Sequence, residues 1–367
     1  MPAASIPSQF ANLPRLRAAI YLVLGVVVAC ILVLVSLTSD TTPPKVEVPA
    51  DDPDFGNDFT LFRRLGTRVR SGESYYDAAF TEMRAHGFPT GSVFNFRTPT
   101  FAWVLGILPD DRWARALLGL LGFGALGLLG FAECRERGWQ AGVLAVILAF
   151  GTVRWSLDPD GPYSPELWAS MLIAVSLALY GLGRTNLAAG LGILALFFRE
   201  LALPYCVLAC LLSLGRRRWH EAMVWLAGLA CFAMFLLWHA HEVQQRMTGA
   251  DLQRSDWLCL GGLKFVLVTA RMNEYLYGAP GWIVALYLAF GLFGLFGRRG
   301  DPGRLAAATV LAYVAAFSIV GNPYNCYWGL LYAPILALGV ARAPFAISDL
   351  VRSLGPRTNP SLEPHPA

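Results

Sequence analysis

The chain has 367 residues, 56% of them hydrophobic and only 15% charged, with a net charge of +4. A soluble domain carries about a quarter charged residues, so this composition excludes an ordinary soluble protein and points to lipid as the solvent. Most of the basic residues are arginines scattered along the chain, which argues against nucleic acid as a partner and suits loops that face anionic lipid or phosphate groups.

Apolar runs bounded by Gly, Pro or charge predict about ten membrane helices. The first, near 18–37, follows Arg15 and Arg17 and continues past Cys30, so it reads as a retained signal anchor. The others lie near 113–131, 140–153, 166–182, 187–198, 201–215, 221–240, 279–297, 304–320 and 327–345. Several fall short of about 20 residues and are expected to be broken or tilted. With Arg15 and Arg17 inside, alternation puts Arg135, Arg137, Arg184, Arg216-Arg217-Arg218, Arg298, Arg299, Arg304, Arg352 and Arg357 inside as well. The prediction is an all-α polytopic protein of the inner (plasma) membrane. Its single transmembrane domain spans 1–350, including a large first outer loop (38–112), and a disordered cytoplasmic tail follows (351–367).

Nearly every other polar cluster then falls outside: 38–112, Arg154 through Glu166, Arg199-Glu200, His239 through Glu242, 243–278, and Asn322 through Tyr327. Ionisable groups at a membrane edge are costly and tend to mark function, so a site opening to the periplasm or exterior is expected. Cysteines lie mostly in apolar runs and show no metal-ligand spacing. Cys259 and Cys326 share the outer side, but a disulfide between them is not expected.

In the first outer loop, 58–71 reads as an amphipathic interfacial helix with Phe59, Phe62, Leu65 and Val69 in one stripe and Arg63, Arg64, Arg68 and Arg70 around the rest. Asp58 opens that helix, so its carboxylate has two readings, a helix-start charge and a site acid. A turn, Gly72-Glu73-Ser74, leads to a short second helix from Tyr75, and then to an extended aromatic stretch ending in Phe96-Arg97-Thr98-Pro99.

The strings Gly56-Asn57-Asp58-Phe59, Gly72-Glu73-Ser74-Tyr75-Tyr76 and Phe96-Arg97-Thr98-Pro99-Thr100-Phe101 resemble the first outer loop of the GT-C glycosyltransferases. The branch in question holds the protein O-mannosyltransferases, the aminoarabinose transferases and the polyprenol-phosphate-mannose-dependent enzymes. Phe198-Arg199-Glu200 and Asn325-Cys326-Tyr327-Trp328-Gly329 add to the likeness, which is sharpest over 56–103. It implies a polytopic transferase, inverting at the sugar, that takes a monosaccharide from a polyprenyl-phosphate donor. Many relatives carry two adjacent acids where Asp58 stands alone, which leaves Asp51, Asp52 and Asp54 open as the base. No large soluble domain follows the last span, which under the resemblance implies a small or lipid-linked acceptor.

Such a transfer needs a base for the acceptor hydroxyl and cations for the leaving phosphate. Asp58 is the expected base. Arg199 is the leading phosphate ligand because it interrupts an apolar stretch, with pairing to Glu200 or another acid as its plainer reading. Arg154 and Arg271 lie on the same side, and Glu200, Arg97, Tyr76 and Tyr327 complete the expected substrate contacts. Tyr324, Tyr327 and Trp328 read slightly better as an interfacial belt than as sugar contacts. His239, His241 and Glu242 match no metal spacing and read as a hydrated helix end. Asp52-Pro53-Asp54 and Asp158-Pro159-Asp160 are weak Asp-x-Asp patterns, so no metal is assigned and a divalent ion is left open. Expected partners are the donor, a lipid-linked or polymeric glycan acceptor, and membrane lipids. The alternatives are a transporter or flippase of lipid-linked sugars, and a polysaccharide polymerase or ligase. Charges gathered at one face argue against the transporter. A long loop placed first rather than late argues against the polymerase.

Overall fold

In a computed structural model, residues 6–44, 57–252 and 259–355 are described. Asp51, Asp52, Asp54 and the tail from 356 onward lie outside them. Fifteen α-helices make up the described chain, with no strand among the described residues. In order they are α1 (Arg15–Thr38), α2 (Asp58–Arg70), α3 (Tyr75–Ala85), α4 (Thr100–Ile107) and α5 (Asp111–Arg137). Next come α6 (Trp139–Val153), α7 (Pro165–Gly181), α8 (Thr185–Phe198), α9 (Leu203–Gly215) and α10 (Trp219–Gln244). The last are α11 (Gly262–Ala270), α12 (Glu274–Tyr277), α13 (Gly281–Gly297), α14 (Gly300–Ile319) and α15 (Ala333–Leu354).

Six of these, α1, α5, α6 with its continuation to Leu157, α10, α14 and α15, are long and apolar enough to cross a membrane. Four shorter apolar helices, α7, α8, α9 and α13, occupy the remaining predicted positions. The all-α polytopic architecture is therefore as the hydrophobic pattern predicts. Helix α7 is buried along almost its whole length and forms the centre of the bundle. Helices α13 and α15 approach so closely that a Cβ on Gly294 would overlap the Gly339 carbonyl, a small-residue contact of the kind that joins membrane helices.

Two segments differ from expectation. Residues 243–278, expected as outer polar chain, include α11. At nine residues α11 is too short to span, yet Phe265 to Ala270 are buried and Thr269 meets the Tyr332 hydroxyl at 2.9 Å. Its apolar run has a packing partner inside the bundle, which a hydropathy window of full span length does not register. The last span begins at Ala333 rather than 327, because 323–331 winds as a 3₁₀ run and Pro334 suits the first turn of α15. Helix α15 continues to Leu354. Cys259 and Cys326 are both free.

In the first loop, α2 buries Phe62 and Leu65 of the expected stripe, together with Leu61, while Phe59 stays exposed. Its arginines are spent within the protein. Arg63 pairs with Asp160 at 2.6 Å, Arg68 with Glu73 and Glu82, and Arg70 with Asp111 and the Leu105 and Leu108 carbonyls.

The two bundle ends differ in chemistry. At one end, Glu133 and Glu136 of α5 meet Arg298 and Arg342, with Arg298–Glu136 at 2.7 Å and Arg342–Glu133 at 2.5 Å. Residues 6–13 strap across this end. The Ser8 amide donates to Asp349 (2.7 Å), which also holds Arg137 (2.8 Å), and Arg299 donates to the Ser8 carbonyl (3.0 Å). Phe10 is only 2% exposed and sits 5.3 Å from the Tyr21 ring and 5.1 Å from Phe293. Phe10→Ala should therefore cost about 3 kcal/mol or more, the usual loss for a buried phenylalanine, read as a lowered detergent melting temperature. An unchanged melting temperature would show the strap to be dispensable.

Candidate active site

The other end gathers the N-termini of α2 and α7, the break between α8 and α9, the 3₁₀ run before α15 and the last turns of α10. Asp58 is the first residue of α2, but the cap is Asn57, whose side chain accepts from Phe59 N (3.0 Å) and Thr60 N (3.3 Å). The Asp58 carboxylate is thereby released from capping. Its Oδ2 accepts from the Tyr327 hydroxyl at 3.2 Å, and both side chains are half-buried.

Arg97 follows a 3₁₀ turn over Val93–Asn95, and its carbonyl accepts from the Tyr75 hydroxyl. Its half-buried guanidinium makes no hydrogen bond or ion pair among the described residues, and its Nε is a buried donor with no partner. Burial opposes the Arg97 charge. Tyr327, Glu200, Glu166 and Asp58 outweigh that burial and raise its pKa above the ordinary guanidinium value. The Tyr327 hydroxyl is pushed up by burial and then by Asp58, so it remains a protonated donor.

Arg199 is 1% exposed and is held from two sides, by Glu166 through its Nε at 2.6 Å and by Glu200. The Glu166 contact is close enough for an ion pair but lacks the alignment of a hydrogen bond. The plainer reading of Arg199, an internal pair, describes its geometry. Glu166 opens α7 behind Ser164, whose Oγ accepts from Leu167 N at 3.3 Å. In the sequence, Ser-Pro-Glu before an apolar run is an ordinary helix start, and nothing in it marks Glu166 as the partner of Arg199.

The remaining expected residues are engaged with other side chains or with backbone. Arg154 pairs with Asp158 one turn on, and Asp160 is taken by Arg63, so the Asp-x-Asp pattern is divided between two arginines. Arg271 donates to the carbonyls of Thr41, Leu276, Tyr277 and Ala279 and to the Thr41 hydroxyl, and so fastens the chain after α1 to the α12 region. Tyr76 is buried, and its hydroxyl meets His239 Nδ1 at 3.0 Å. His239 is itself buried rather than part of a hydrated helix end, because α3 covers it. Of the aromatic trio, Tyr324 is exposed and Trp328 packs on Phe317 at 5.7 Å; Tyr327 alone joins the site. No group of three or more metal-ligating side chains occurs among the described residues.

Among the described residues, the arrangement offers one carboxylate with an open oxygen and one half-buried arginine without a hydrogen-bond or ion-pair partner, at the same end of the bundle. That is what a proton acceptor and an anion-stabilising group require.

No protein-family model and no curated protein sequence matches the chain. Among solved structures, it is similar to ArnT from Cupriavidus metallidurans bound to undecaprenyl phosphate. The TM-score is 0.50 at 17% identity, over 89% of this chain and 60% of that one. The apo form of the same protein gives a TM-score of 0.47 at 15% identity, over 90% and 60%. The chain thus spans 60% of the length of that neighbour. The resemblance read from the first outer loop holds at the level of architecture: the chain has the GT-C fold.

Proposed function

We propose that this chain is an inverting membrane glycosyltransferase. It takes a monosaccharide from a polyprenyl-phosphate donor and delivers it to a lipid-linked glycan, polysaccharide or protein acceptor at the outer face of an inner membrane. The single observation that carries this reading is that Asp58, freed from capping by Asn57 and oriented by Tyr327, shares this end of the bundle with Arg97, whose guanidinium has no hydrogen-bond or ion-pair partner among the described residues. The ArnT neighbour, bound to undecaprenyl phosphate, supports the donor class. The outward orientation rests on the distribution of arginines among the loops.

In the reaction, Asp58 accepts the proton of the acceptor hydroxyl as that oxygen attacks the anomeric carbon. The bond from the anomeric carbon to the phosphate oxygen breaks, its electron pair stays on the phosphate, and the anomeric configuration inverts. Arg97 meets the charge that develops on the phosphate; a guanidinium suits this because its charge persists and its donors match phosphate oxygens. Asp58 leaves the reaction protonated and returns its proton to water. Arg199 and Glu200 shape the floor of the site, while Arg154 and Arg271 hold surrounding chain.

The ion network and strap at the opposite end argue against the transporter reading, since alternating access would require that end to open. Purified protein given radiolabelled polyprenyl-phosphate sugars and extracted membrane acceptors should move label to the acceptor. Label that stays on the lipid with every donor, together with flipping of lipid-linked sugar in liposomes, would overturn the transferase in favour of transport.

A further inference from the structure

Glu200 and His239 share a pattern at this end. Each is fastened on one side and open on the other. Glu200 Oε1 is held by Arg199, which Glu166 holds in turn, whereas Glu200 Oε2 is buried without a hydrogen-bond partner. His239 Nδ1 meets the Tyr76 hydroxyl at 3.0 Å, whereas Nε2 is buried and unpartnered. The Phe96 backbone acts on that ring, yet no partner meets hydrogen-bond geometry at Nε2. The Thr98 hydroxyl donates to the Phe197 carbonyl at 3.1 Å and the Val93–Asn95 turn packs on α10, which brings the segments carrying Arg97, Glu200 and His239 together. His239 is 1% exposed, so its open nitrogen is not satisfied by bulk water. Buried polar atoms left open are uncommon in folded proteins and call for an occupant.

We infer that Glu200 Oε2 and His239 Nε2 form a subsite for the hydroxyl groups of a sugar ring, distinct from the phosphate contact at Arg97. A fixed carboxylate oxygen accepts from one hydroxyl, and an imidazole nitrogen donates to or accepts from a second. The roles of Arg199, Glu166 and Tyr76 follow: they are positioning residues that hold the two readers in place. A site built to hydrogen-bond hydroxyls rejects ligands that lack them, because its buried polar atoms then stay unpaired. The inference rests on the transferase reading, and the sugar belongs to the donor or to the acceptor glycan.

The test uses the full-length protein with Glu200→Gln and His239→Phe, each checked for a monodisperse elution profile and melting temperature. Binding is measured for bare undecaprenyl phosphate and for a panel of its glucosyl, mannosyl, galactosyl and N-acetylglucosaminyl forms, and the apparent KM for extracted acceptor is measured in parallel. If the subsite reads the donor, both variants weaken the best-bound glycosylated lipid about tenfold and leave bare undecaprenyl phosphate within about twofold. If it reads the acceptor, lipid binding stays and the acceptor KM rises about tenfold. Equal losses for bare and glycosylated lipid, or no change in any of these constants, would overturn the subsite. So would a wild-type protein that binds no glycosylated form better than the bare lipid while the acceptor KM is unmoved in both variants. Failure of the wild type to bind undecaprenyl phosphate at all is a separate result; it removes the transferase reading and this inference with it.

Discussion

Asp58→Asn is expected to lower transfer by about 10²-fold or more, with the loss in kcat and little change in donor binding. The substitution keeps the shape of the side chain and an oxygen for the Tyr327 hydroxyl, now 3.2 Å away, so the geometry around it survives. Helix α2 also survives, because its N-terminal amides are satisfied by Asn57 and not by Asp58. What disappears is the capacity to accept a proton. A variant that folds, binds undecaprenyl phosphate and fails to transfer would assign the base. Transfer within a few-fold of wild type would move that role to another acid of the first loop, and Asp51, Asp52 and Asp54 are then the candidates. Asn57→Ala is the natural control. It should cost about 1 kcal/mol of stability through the lost cap while leaving the chemistry in place.

This contrast between neighbours shows what the sequence could carry. Hydrophobic runs read the bundle well because a lipid-facing helix must be apolar over most of its length, and among the described residues the six long and four shorter apolar helices stand close to where those runs lie. The first-loop strings make Asp58 and Arg97 expected site residues, since both sit in short motifs whose neighbours are aromatic or turn-forming. Tyr327 came from a motif near the last span, although composition alone favoured an interfacial belt. What stayed hidden depends on pairing across long stretches of chain. Glu166 looks like any helix-start acid until Arg199, 33 positions on, is placed against it at 2.6 Å. Arg271 looks like an outer cation until its donors are found on backbone carbonyls. Helix α11 is legible as apolar but not as buried, because only the tertiary fold supplies its cover. Separating an arginine that serves a ligand from one that serves the fold requires knowing its partners, and charge and position do not reveal them.

Arg199 and Arg97 turn that distinction into the second large effect. Arg199→Met leaves the buried Glu166 with no cation against it and takes the Arg199 contact from the partly exposed Glu200, so Glu166 must take up a proton or the turn between α8 and α9 must open. Losing one partner of a buried ion pair costs about 3–5 kcal/mol, and a large drop in detergent melting temperature or a failure to accumulate in membranes is expected. Adding Glu166→Gln and Glu200→Gln to Arg199→Met should recover part of that stability, since the stranded charges are then gone. Arg97→Met breaks no side-chain hydrogen bond or ion pair among the described residues, so its melting temperature should fall much less. Its cost should appear instead in binding of undecaprenyl phosphate, weakened about tenfold or more through the lost charge-assisted contact. The opposite outcome, an Arg199→Met protein that melts like wild type but no longer binds the lipid phosphate, would exchange the two roles. The phosphate would then belong to the arginine that the two acids hold in place, and the acids would serve to orient it rather than to neutralise it.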